Sequence, residues 1–463
     1  MRARAAAALV ALLAAGCGGS GELAPRAAPT AAPPERTATA APARAVPTPV
    51  PRLRGAAACR DVADATCSTL RVPLDRSGGE SGTLELRVAV AGDGKQPVLV
   101  LLTGGPGEPG LPFMKRTREW LEAAADTVRL VVFDQRGTGA DALDCPALQR
   151  AMGASDLTPP PAAAVRECAQ RIGPRRRFYT TADTVEDLEA LRQALHVPKL
   201  ALDGISYGTY VAQHYALAHP NRVSALILDS VVPAEGVSLL STTPIQATER
   251  VLGEDTTREL ATVVREHHNG PELLDILTGL SVGAPRGNGA ANAIHAAADG
   301  NEAPLDGLID GVQHAMKWPA KLLSQGLHAS TLCADMPAPW GDASAPLEGR
   351  REALEQAAAK LSDDDLYPYD RETATGNGIA QQCLNWPPVD VPPPAGAQDL
   401  PPVPTLLLAG DRDLSTPMEW AKSAARHAPR GRLIVVHDNG HDVQAQGDPE
   451  PLGAVRRLVA SLE

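Results

Sequence analysis

Aromatic side chains make up only 3% of the 463 residues, too little material for the stacking platforms that hold sugars or nucleobases. Positive charge is also in deficit. Lys and Arg number 43 against 55 Asp and Glu, a formal charge of −12. A phosphate-backbone partner therefore has no electrostatic support, so no nucleic acid is expected, and a basic membrane-binding surface is equally unsupported. Acidity of this size favours solubility. Cysteine is sparse, at seven, and no CxxC pair marks a zinc ligand set. Neither a metal nor a cofactor is expected.

The N-terminus reads differently from the rest. Arg2 and Arg4 precede an apolar run at 5–15 that ends in Gly16-Cys17. A short positive segment, a short apolar core and small residues describe a secretory signal, and the run is too short to span a membrane as a mature helix. The string Leu13-Ala14-Ala15-Gly16-Cys17 resembles a bacterial lipobox, with Ala14 where that motif usually carries Leu. The resemblance implies lipidation of Cys17 and an exported protein, facing periplasm or exterior and held to the membrane by its N-terminal lipid alone. An ordinary cleaved signal is the alternative. Residues 18–54 are rich in Ala, Pro and Thr, cannot bury enough surface to offset ordering, and are expected to form a disordered tether.

The other six cysteines, Cys59, Cys67, Cys145, Cys168, Cys333 and Cys383, form an even set beyond a secretion signal, which suits disulfides in an oxidising compartment. Six allow 15 pairings and the sequence does not choose among them. Joining neighbours in order (59 with 67, 145 with 168, 333 with 383) is the expectation taken.

From residue 68 onward strands alternate with helices. Residues 68–75 and 83–91 read as two strands joined by a Gly-rich turn, and 97–102 (PVLVLL) and 128–133 as continuous apolar strands of the buried parallel kind. Apolar Val185, Leu188, Leu191 and Leu195 give helical spacing over 184–195, with Asp183 as a possible N-cap. A strand at 199–202, a helix at 209–218 and a strand at 225–229 follow. A strand at 405–409, a helix at 418–427 and a strand at 433–436 close the chain. This alternation predicts an α/β fold with a mostly parallel, doubly wound sheet. The sheet core is expected over 55–232 and 401–463. Residues 233–400, Ala-rich with long Pro-rich joins, read as an inserted, mainly helical lid.

Chemistry enters at Gly204-Ile205-Ser206-Tyr207-Gly208, between a strand and a helix. A nucleophilic serine on a strained turn needs small residues two positions either side so that strand and helix can pass closely. Its base and the acid that orients the base come later in the chain, in loops after late strands. The strand at 405–409 runs into Gly410-Asp411-Arg412-Asp413, and that at 433–436 into His437-Asp438-Asn439-Gly440-His441. Asp413 is preferred over Asp411 because it lies further into the loop, and His441 over His437 because His437 sits at the strand end. The oxyanion donors are expected at the N–H of Tyr207 and of a glycine in Gly104-Gly105, taken as Gly105.

Five ordered motifs carry a family resemblance: GGPG at 104–107, DQRGTG at 134–139, YTTADTVEDLEALR at 179–192, GISYGTY at 204–210 and GDRDLSTP at 410–417. Together they resemble the secreted tripeptidyl-aminopeptidase-like hydrolases, relatives of the prolyl aminopeptidases, over about residues 55 to 460. The resemblance implies an α/β-hydrolase with a helical cap that cleaves short peptides from a free N-terminus without a metal. It also places Ser206, Asp413 and His441 at the triad positions. Thr103 stands where relatives often carry His or Asn. Lid carboxylates are expected to hold the substrate ammonium, but among Glu235, Glu249 and Asp335 spacing singles out none. A carboxylesterase or amidase with the same triad is the alternative activity, and a binding lipoprotein on an inactive hydrolase fold is the alternative class. The sequence sets no oligomeric state, cut length or side-chain preference.

Overall fold

A computed structural model describes residues 50–463 apart from Asp61, Ala63, His268 and Glu463. The expected signal, the lipidation site at Cys17 and the tether up to residue 49 lie outside the described residues. Among the described residues nine strands form one sheet: β1 (Leu53–Ala58), β2 (Ala65–Pro73), β3 (Thr83–Ala91), β4 (Val98–Leu102), β5 (Arg129–Phe133), β6 (Leu200–Ile205), β7 (Val223–Asp229), β8 (Thr405–Gly410) and β9 (Gly431–Val436). Their spatial order is β1-β2-β3-β5-β4-β6-β7-β8-β9. Pairing is antiparallel from β1 through β3 to β5 and parallel across β5, β4, β6, β7, β8 and β9.

Strand β4 shows why the middle of the sheet is continuous hydrocarbon. All five of its residues are buried, and they alternate between faces. Val98, Val100 and Leu102 join the cluster under the helices Thr181–Ala194 and Tyr207–Ala218. Leu99 and Leu101 join the one under Met114–Leu121 and Pro449–Ala460. A strand covered on both faces has no polar side to display.

From β4 the chain turns to β5 on one side and later returns to β6 on the other. This reversal leaves a crevice outside the carboxyl ends of β4 and β6, where ligands bind in open α/β sheets. Leu102 at the end of β4 is paired with Gly204, so the GGPG loop and the Ser206 turn emerge side by side.

Strand β1 starts at Leu53, inside the segment expected to be tether. Its sequence LRGAAA is almost wholly exposed and has no apolar alternation. Only its antiparallel ladder to β2 makes it a strand. The helix expected from residue 184 begins at Thr181, and its N-cap is Thr180 rather than Asp183. Thr180 Oγ1 accepts the Asp183 N–H at 3.2 Å, and Asp183 Oδ2 accepts the Thr180 N–H at 3.2 Å. Asp183 is therefore the N3 residue of a capping box.

Two of the motifs meet in a buried clamp. Arg136, from DQRGTG, is 1% exposed and donates from Nε to Asp187 Oδ2 at 2.7 Å and from Nη2 to Oδ1 at 2.8 Å. Asp187 is fully buried and also receives Arg76. The bidentate pair fastens the loop after β5 to the helix Thr181–Ala194. Removing one partner would strand the other charge, a change that costs about 3–5 kcal/mol. These motif residues thus hold the scaffold together.

Among the described residues ten helices stand between β7 and β8, from Thr242–Leu252 to Gly378–Asn385. Disulfides join Cys59 to Cys67, Cys145 to Cys168 and Cys333 to Cys383. The last ties helix Gln325–Asp335 to helix Gly378–Asn385. Among the described residues no helix is long and apolar enough to cross a membrane, and no His/Cys/Asp/Glu group is arranged to hold a metal ion.

Candidate active site

Ser206 has φ 56° and ψ −125°. A non-glycine residue held there stores strain, and its surroundings show what holds it. Its N–H donates to the Asp229 carbonyl at 2.9 Å, and its own carbonyl accepts from the Thr209 N–H at 2.8 Å and from Thr209 Oγ1 at 2.6 Å. The flanking glycines are obligatory. A Cβ on Gly204 would lie 2.5 Å from the Gly208 carbonyl oxygen, and one on Gly208 would lie 2.0 Å from the Leu102 carbonyl oxygen.

The loops after β8 and β9 place the preferred residues, Asp413 and His441, differently from Asp411 and His437. Asp413 is fully buried and saturated. Its Oδ1 accepts the N–H groups of Ser415 and Thr416 at 2.8 and 2.9 Å. Its Oδ2 accepts Thr416 Oγ1 at 2.6 Å and pairs with His441 Nδ1 at 2.9 Å. Asp411 instead pairs with His437 Nδ1 at 2.6 Å, on a ring that is 87% exposed. The buried pair is Asp413 with His441, and the surface pair is Asp411 with His437.

Burial disfavours the charged His441 ring, but the charge and hydrogen bond of Asp413, with the charges of Asp442 and Asp229, outweigh it and raise the imidazole to about 9. Asp442 is raised to about 7, first by burial and then by Asp229, while Arg116 and His441 pull it down. The imidazole Nε2 and the Ser206 hydroxyl carry no hydrogen bond to each other or to any other group among the described residues. Such contacts are often long before substrate binds.

Several positioning residues carried no signal in the sequence. Asp229 joins the two halves of the site. Its backbone carbonyl takes the Ser206 N–H, while its carboxylate accepts the N–H groups of Val443 and Gln444, each at 2.9 Å. Ser281, from the helix Gly270–Gly283, accepts the His441 N–H on its carbonyl at 3.1 Å and the Leu414 N–H on its hydroxyl at 3.1 Å. It pins both loops to the helical insertion.

The GGPG loop closes the site on its other side. Gly104 packs on the Ser206 turn: a Cβ there would lie 2.9 Å from Ser206 Cβ. Its N–H donates to Glu108 Oε2 at 3.2 Å. The N–H groups of Gly105 and Tyr207 have no partner among the described residues, which leaves both as candidate oxyanion donors. Thr103 is buried and donates from Oγ1 to the Glu108 carbonyl at 2.9 Å, bracing the loop. Gly107 receives the Ser324 N–H on its carbonyl at 3.1 Å, at the start of helix Gln325–Asp335.

Of the acids weighed as amine holders, Asp335 is buried and its Oδ2 accepts the Thr181 N–H at 2.7 Å. Thr181 Oγ1 in turn bonds the Tyr207 hydroxyl at 2.7 Å. Asp335 thus steadies the residue after Ser206 from behind. Burial raises its carboxyl to about 7, against the two Thr181 hydrogen bonds that lower it. Glu235 accepts from Ser423 Oγ at 3.1 Å, and Glu249 is exposed.

A nine-stranded, mostly parallel sheet with a strained serine after β6, and with an acid and a histidine after β8 and β9, defines an α/β hydrolase. Comparison with known proteins gives the same class: the family described as alpha/beta hydrolase fold matches residues 97–273. A second family, described as TAP-like protein, matches residues 369–457. Tripeptidyl aminopeptidase of Streptomyces lividans is 31% identical over 188 residues, 36% of this chain and 35% of that protein. Serine protease Hip1 of Mycobacterium tuberculosis is 32% identical over 188 residues, 36% of this chain and 36% of that protein. Proline iminopeptidase of Arabidopsis thaliana is 27% identical over 181 residues, 38% of this chain and 37% of that protein. The matches span about a third of the length of these curated relatives. Among solved structures, proline iminopeptidase of Mycobacterium smegmatis is 16% identical, with a TM-score of 0.41 over 85% of this chain and 97% of that one.

Proposed function

We propose that this protein is a serine peptidase that removes residues from the free N-terminus of short peptides. The observation that carries the reading is the buried Asp413–His441 pair, set on the same sheet edge as a serine held at positive φ. The names of the relatives, all peptidases, support peptide over ester as substrate. In this reading Ser206 attacks the scissile carbonyl and His441 takes its proton, then delivers it to the leaving amine. Asp413 holds the imidazole tautomer, and the N–H groups of Gly105 and Tyr207 receive the oxyanion. Water then releases the acyl group by the same steps in reverse roles. We also infer export, because three disulfides suit an oxidising compartment, with Cys17 as the site of the lipid anchor.

Fluorophosphonate labelling of wild type and Ser206→Ala, beside a panel of amino-acyl, dipeptidyl, tripeptidyl and simple ester substrates, tests the proposal. Serine-dependent labelling with peptide turnover is expected. Turnover of esters alone would make the protein an esterase, and absence of labelling would favour the inactive binding protein.

The rate of that labelling should also follow His441. Only the neutral imidazole can accept the serine proton. With the ring raised to about 9, its neutral fraction, and so the rate, should rise with pH and level off only above about pH 9. Asp442→Asn, which removes one of the charges that raise the ring, should move this limb to lower pH. A limb at the ordinary histidine value in wild type would show that the ring does not carry this charge environment.

A further inference from the structure

Glu108 follows the GGPG loop, and the structure turns its carboxylate back into that loop. Its Oε2 accepts the Gly104 N–H at 3.2 Å, its own N–H donates to the Gly104 carbonyl at 3.3 Å, and its carbonyl receives Thr103 Oγ1. The side chain is therefore held beside the nucleophile. A carbon-sized atom on Gly104 would touch both groups, at 2.9 Å from Ser206 Cβ and 3.3 Å from Glu108 Oε2. Glu108 forms no ion pair among the described residues. Arg116, whose charge favours its ionised form, is spent on Asp442 at 3.4 Å. Asp156, which disfavours that form, is engaged with His328 at 2.8 Å.

An unpaired carboxylate here is a problem for acyl transfer. Negative charge develops on the substrate oxygen in the transition state, and a neighbouring anion opposes it. Burial already pushes the Glu108 carboxyl up, against the pull of His441 and the Gly104 N–H. A cation brought by the substrate would remove both penalties at once. In an amino-acyl substrate the α-ammonium is two bonds from the carbonyl carbon that Ser206 attacks. Each further residue on the amino side carries the ammonium away by about 3.3–3.6 Å in extended chain.

Resting on the serine peptidase reading above, we propose that Glu108 is the anchor for the substrate α-ammonium and that the enzyme releases one amino acid per cut. The acid that reads the free N-terminus then belongs to the oxyanion loop, and the Asp335 carboxylate of the helical insertion is left to its work behind Tyr207. Peptides with an acylated or absent α-amine leave the Glu108 charge uncompensated and are poor substrates.

The test compares kcat/KM of wild type for amino-acyl coumarylamides with their N-acetyl and des-amino counterparts and with tripeptidyl coumarylamides. Wild type is expected to prefer the free amino-acyl substrate by roughly 100-fold, as for a desolvated charge pair. Glu108→Gln, which keeps the shape and the acceptor for Gly104, should bring that preference close to one. Because the preference is a ratio within one protein, a partly folded variant leaves it readable, and the wild-type comparison needs no variant. The proposal is overturned if wild type ignores the amine or cuts tripeptidyl substrates as well as amino-acyl ones, or if Glu108→Gln lowers all substrates in equal proportion. Wild type that takes no fluorophosphonate would instead sink the serine reading, and this inference with it.

Discussion

Replacing His441 with alanine should lower kcat on an amino-acyl substrate by about 10⁴- to 10⁶-fold with little change in KM, and Asp413→Asn should lower it by about 10⁴-fold. The size follows from how little else in the site can do the work. In the proposed mechanism Ser206 needs a base, and His441, the buried ring paired with Asp413, is the candidate the late loops supply. Asp413 has no spare capacity, since its two oxygens already serve two backbone N–H groups, the Thr416 hydroxyl and the ring. An amide there keeps the volume but changes the tautomer it selects. The His441→Ala, Asp413→Asn double variant should be no slower than His441→Ala alone, because the two act as a unit. His437→Ala provides the contrast: that ring is exposed and pairs with Asp411 and Asp438, and its loss should leave kcat within about twofold. If His437→Ala were the variant that killed activity, the assignment of base and acid would be reversed.

That distinction shows where sequence reading reaches. The alternation of apolar residues in 97–102 and the GxSxG turn specify a buried strand and an elbow, because each depends on residues adjacent in the chain. The preference for Asp413 and His441 over Asp411 and His437 rests on loop position, and the structure separates the two pairs by burial. What the sequence hid depends on distant partners. Strand β1 is small and exposed and exists through its ladder to β2. Asp229 closes a strand that reads as plain core, yet its carboxylate lies under residues 443 and 444. Ser281 lies in the helical stretch whose internal order composition did not resolve, and its two bonds reach residues 414 and 441. Glu108 stands directly after the GGPG motif. Only the fold of the loop, returning its side chain to Gly104, gives it a place at the site. Arg136 and Asp187 show the converse: two motif segments that announce a family turn out to be one buried ion pair that stabilises the scaffold.

Gly208→Ala is expected to destroy the site by a different route from the catalytic variants. The added methyl would stand 2.0 Å from the Leu102 carbonyl oxygen and 3.0 Å from that of Thr103, both backbone atoms at the end of a fully buried strand. Neither can rotate away. The helix Tyr207–Ala218 would have to withdraw from the sheet, and it carries Tyr210, Val211 and Tyr215, all fully buried in the main core. A single methyl therefore costs more than about 4 kcal/mol, in the range reserved for substitutions that break packing or backbone geometry. The same exchange at Gly307, in the helix Ala303–Ala315, meets nothing within 4 Å, and should be neutral or stabilise by up to about 1 kcal/mol through helix propensity. Thermal melting of the two variants should thus move in opposite directions or differ by many degrees. Ser206→Ala should melt like wild type, or slightly above it, while losing the fluorophosphonate label. Gly208→Ala should lose label and stability together, because the strain that presents the serine is held in place by the close passage of helix over strand. A Gly208→Ala protein that melts normally would mean that the helix does not approach Leu102 as closely as the elbow requires.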